Sequence, residues 1–69
     1  MKYNSLELKA ARARRGMTQA DVARKMGVSV TAYTLKENGK RIFTLPNIQK
    51  LAQFLNLEPV EIQKIFFAN

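Results

Sequence analysis

Sixty-nine residues suffice for one small domain, expected over 1–69, and the chain has no Cys and no His. Disulfide staples, thiolate or imidazole metal sites and the usual general base of an enzyme are therefore excluded, and no metal or cofactor is expected. The net charge of +7 is unevenly placed: residues 1–41 carry ten basic and three acidic side chains, residues 42–69 two of each, so a polyanion would meet the first part of the chain.

The chain starts without the apolar core of a signal peptide, and its apolar runs, such as Ile65-Phe66-Phe67, are far short of a membrane span. A soluble cytoplasmic protein with no membrane partner is expected. Helix 1 is expected over roughly Ser5 to Arg15, ending at Gly16. Thr18 reads as the N-cap of helix 2, about Gln19 to Met26, whose inward stripe is Val22, Ala23 and Met26. Gly27 ends that helix. Ser29 caps helix 3, about Val30 to Asn38, which Gly39 closes. Thr44 caps helix 4, with Pro46 in its first turn and Ile48, Leu51, Ala52 and Leu55 at i, i+3, i+4 and i+7. Helix 5 is expected over about Pro59 to Phe67. Ile62, Ile65 and Phe66 share one face, and Val60 and Phe67 fall on another. No strand alternation or repeat is present, so the fold class is all-α, with five helices.

Only Gly27, Val28 and Ser29 join helices 2 and 3. A turn this short forces the helices to cross steeply, with Gly27 supplying positive φ, Ala23 allowing close approach and Val28 plugging the space beneath. That geometry presents a second helix to a DNA major groove.

The run Met17 to Ser29, continuing to Lys36-Glu37-Asn38-Gly39-Lys40-Arg41, resembles the phage Cro and CI repressors, the lambda-repressor-like or XRE helix-turn-helix family. Leu51 to Leu57 resembles that family's fourth helix and the link to its fifth, so the likeness covers about residues 6–67. The resemblance implies a compact five-helix domain that binds a double-stranded DNA operator and regulates transcription. It implies that Gln19 grips a phosphate at the start of helix 2, aided by the helix dipole, and that Ser29 touches the DNA backbone. Val30, Thr31, Thr34 and Leu35 would face base edges, and Asn38, Lys40 and Arg41 would hold the backbone beyond helix 3. Arg12 and Glu37 would form a partly buried ion pair tying helix 1 to the end of helix 3.

The sequence departs from the family at Lys36, where relatives place an aliphatic residue or Trp. A lysine there is expected to snorkel outward to a phosphate, with Tyr33 and Phe43 filling the core. Val30 and Leu35 cannot make bidentate base contacts, so thymine methyl groups and DNA shape are expected to carry the readout. Arg14 and Arg15 suit either a phosphate clamp or a helix end favoured by its dipole. Arg24 and Lys25 read as a solvated face.

Val60 and Phe67 leave apolar surface near the chain end, which points to a weak homodimer through helix 5 and the tail Ala68-Asn69. The leading expectation is a Cro-like repressor, in a chain too short for a sensing or self-cleaving domain. The alternative is an antirepressor or antitoxin acting through a protein partner. An enzyme is the least expected, for want of a nucleophile–base set, a phosphate loop or a close carboxylate pair.

Overall fold

The structure is a computed structural model that describes residues 3–67. Its α-helices are Ser5–Arg14 (α1), Gln19–Met26 (α2), Val30–Glu37 (α3), Leu45–Leu55 (α4) and Pro59–Ile62 (α5), the last continuing as a π-helical segment over Gln63–Phe67. The fold is all-helical, and no helix is long and apolar enough to cross a membrane among the described residues. The expected contribution of Ala68 and Asn69 lies outside the described residues.

Side-chain caps set the helix starts. Asn4, Thr18, Ser29 and Thr44 each accept the backbone amide three residues ahead, at 3.0–3.2 Å. Asp21 returns the favour to the Thr18 amide at 2.9 Å, completing a capping box. That bond to the Thr18 backbone amide is the main reason the Asp21 carboxyl lies below its ordinary range.

Helices α1 to α4 each bury a narrow stripe. Leu8 and Ala11 of α1, Val22, Ala23 and Met26 of α2, and Ile48, Leu51 and Leu55 of α4 meet in one core. Tyr33 and Phe43 both lie in it, with ring centroids 6.4 Å apart. A second aromatic group closes the end of the molecule. Phe43 lies edge-on to Phe66 at 5.8 Å and 5.1 Å from the ring of Tyr3.

The last element departs from expectation. A regular α-helix was expected to Phe67, but α5 ends at Ile62 and the chain widens into the π turn. Here the segment before α1 meets the π turn: the Ile65 carbonyl accepts the Asn4 amide at 2.7 Å, while Ile65 and Phe66 are buried. A long-range bond that draws a carbonyl out of the helical pattern favours such a local widening.

Candidate nucleic-acid interface

The turn between α2 and α3 forces a specific backbone shape. Gly27 adopts φ +73°, and the Val28 amide then reaches back to the Ala23 carbonyl at 3.0 Å. Val28 packs against the core, and Ser29 immediately caps α3. A side chain at Gly27 would meet nothing within 4 Å, so what the turn requires is the left-handed conformation and not space.

α3 is thereby split into two faces. Tyr33 and Glu37 point inward and are fully buried. Val30 and Thr31 are exposed, and Thr34 and Leu35, one turn further on, are half-buried on the same side. The Thr34 hydroxyl donates to Gln19 Oε1 at 3.3 Å, which ties the outer face of α3 to the first residue of α2. Beyond α3 the chain doubles back tightly. The amides of Lys40 and Arg41 both reach the Leu35 carbonyl, at 2.8 and 3.3 Å, and the side chains of Asn38, Lys40 and Arg41 are exposed. Polar and cationic groups therefore border the outer face of α3 at both ends.

The helix-turn-helix family model matches residues 8–62, most of the chain. The protein is a helix-turn-helix protein of the Cro/CI, or XRE, type. Its family is one of DNA-binding regulators. No curated protein matches this helix-turn-helix chain in sequence.

The rest of the helix-turn-helix unit is held by charged groups turned inward. Arg12 Nε donates to both carboxylate oxygens of Glu37, at 3.1 and 3.2 Å, and its Nη1 donates to the Met17 carbonyl at 2.7 Å. Glu37 is fully buried, so α1, the entry to α2 and the last turn of α3 are fastened at one point. The adjacent Tyr33 hydroxyl has no hydrogen-bond partner among the described residues. Burial first, and the Glu37 charge second, push its phenol far above the ordinary tyrosine range.

Lys36 does not extend outward as expected. Its ammonium donates to Asn47 Oδ1 at 2.9 Å, and Asn47 also closes the capping box of α4. The half-buried Lys36 thus finds a side-chain carbonyl acceptor for its head on the neighbouring helix start.

Arg14 and Arg15 are engaged as well. Arg15 donates to Glu61 Oε1 at 2.6 Å and to the Asn56 carbonyl at 3.2 Å, and Arg14 donates to Glu61 Oε2 at 2.9 Å. These bonds, Arg15 foremost, hold the Glu61 carboxyl down from 4.5 to about 2. Asn47 stands three residues after the cap Thr44, where the usual box pattern has Glu or Gln, so its part in the box is seen only in the structure. The pairing of Arg15 with Glu61 carries no local signal.

Proposed function

We propose that the protein binds double-stranded DNA operators sequence-specifically, as a Cro-like repressor of phage or mobile-element type, with α3 in the major groove. One observation carries the reading: Val30, Thr31, Thr34 and Leu35 share the face of α3 turned from the core, bordered by Gln19 on one side and Asn38, Lys40 and Arg41 on the other. Val30 and Leu35 pack on thymine methyl groups, and Thr31 and Thr34 bond base edges. Gln19, Ser29, Asn38, Lys40 and Arg41 hold phosphates. Lys36 serves α4, through Asn47, in place of the phosphate role expected of it. The protein acts without catalysis in the cytoplasm of a bacterial host, at the nucleoid. It pairs weakly through the α5 region, where Val60 and Phe67 are 58% and 55% exposed.

That same exposed pair favours a second reading, an antirepressor or antitoxin that works through a protein partner. Selection of sites from a random duplex pool, followed by titration of the winner at several salt concentrations, decides between them. An enriched two-fold-related site whose affinity falls steeply with salt is expected. A salt-sensitive background without enrichment would overturn the repressor reading and leave the protein-partner reading.

A further inference from the structure

The loop that carries Asn38, Lys40 and Arg41 is not held only by its own helix. The Tyr3 hydroxyl donates its single proton between the carbonyls of Lys36 and Arg41, the second at 2.6 Å, so the phenol bridges the two ends of that loop. The next residue but one, Ser5, packs against the same loop: a side chain added at Gly39 would meet Ser5 Oγ at 3.4 Å. Gly39 itself sits at φ +80°, the conformation that lets the chain reverse there.

Tyr3 is in turn anchored on its other side. Its ring lies 5.1 Å from that of Phe43 and 6.1 Å from that of Phe66, and the amide of Asn4 is bonded to the carbonyl of Ile65 in the π turn. Tyr3 and Asn4 are thus fixed to the core and to Ile65, and from there Tyr3 reaches the loop beyond α3. Burial raises the Tyr3 phenol above its ordinary value, against a smaller opposing effect from the Gly39 backbone, so it stays a donor at neutral pH.

We infer that Tyr3 is a positioning residue for DNA binding: its hydroxyl fixes the loop whose Lys40 and Arg41 side chains meet the phosphate backbone. The inference rests on the DNA-binding reading above. Tyr3 touches no DNA group itself. It selects one loop conformation before binding, so ordering of that loop is not charged against affinity. Its effect is on backbone contacts and is therefore the same for every DNA sequence.

The test is Tyr3→Phe in the full chain, which keeps the ring among Phe43 and Phe66 and removes only the bridging hydroxyl. Three readouts are taken on both proteins: amide hydrogen exchange at Lys40 and Arg41, affinity for a selected site and for random duplex DNA, and the slope of log affinity against log salt. Faster exchange at those two amides with little change elsewhere is expected. Affinity is expected to fall several-fold for both DNAs alike, with the salt slope unchanged, because the same phosphate contacts form once the loop is ordered on DNA. Unchanged exchange and affinity would overturn the inference while leaving DNA binding in place. A loss confined to the selected site would overturn it too, since it would put Tyr3 in base readout. Failure of the unsubstituted protein to bind any duplex would instead overturn the DNA-binding reading on which the inference depends.

Discussion

At the scale of single residues, most charged side chains placed at junctions in this protein are occupied by the fold. Glu37 is the extreme case, a carboxylate with no exposed surface satisfied by Arg12. Arg12→Ala would leave that charge buried and unpaired, at a cost of about 3–5 kcal/mol. In urea denaturation the midpoint should fall sharply, with recovery of much of the loss when Glu37 is also replaced by Met. A double variant as unstable as the single one would mean that packing around the pair, and not the stranded charge, sets the cost. Glu61 gives a pH-dependent counterpart. Its carboxyl is held down from 4.5 to about 2, by Arg15 before any other group. A folded-state value below the unfolded one contributes stability that is full above pH 4.5 and disappears as pH falls towards 2. Glu61→Gln should therefore be less stable than the natural protein at pH 6, and the gap between the two urea midpoints should narrow below pH 4.5 and close only as pH falls through about 2. A gap independent of pH would remove the ion pair as its origin.

At the scale of helices, the parts that sequence made legible are those whose signals are local. Thr18, Ser29 and Thr44 announce the starts of α2, α3 and α4, and the left-handed Gly27 announces the turn, because caps and turns are decided within four residues. The two faces of α3 could be proposed but not fixed from spacing, since eight residues make little more than two turns. Burial of Tyr33 and Glu37 settles which side points inward. The π turn at Gln63–Phe67, the bond from Lys36 to Asn47 and the bridge from Tyr3 each depend on groups more than ten residues apart, and no local pattern encodes them. The division of labour on α3 yields its own prediction. Thr31→Ala and Leu35→Ala should each cost about 1–3 kcal/mol on the preferred site and relax preference there. Gln19→Ala and Lys40→Ala should weaken binding to all sequences and flatten the salt slope. Binding assays on the selected site and on scrambled duplex would separate the two pairs. Uniform loss from all four would mean that bases are read by another surface.

At the scale of the whole molecule, charge and size set how DNA can be approached. Glu37, Glu61 and Asp21, three of the five acidic residues, are each paired with arginines and so neutralised where they stand. Lys40 and Arg41 stay exposed beside α3. The described residues extend 28 × 23 × 20 Å. In the dimer proposed above, two recognition helices one DNA turn apart, about 34 Å, would belong to bodies narrower than that spacing. Such bodies would meet only at their margins, and so small a contact would make the proposed dimer weak and formed chiefly on the operator. Val60 and Phe67 suit that margin, since both are more than half exposed in the protomer. Phe67→Asp should then leave affinity for an isolated half-site unchanged and abolish the cooperative gain on a two-fold site, read as a Hill coefficient falling to one in a DNA titration. A cooperative gain that survives the substitution would place the protomer contact elsewhere. Loss of binding to a separate protein with DNA affinity intact would assign Phe67 to a different partner, because a charge placed in an apolar contact opposes whichever surface normally covers it.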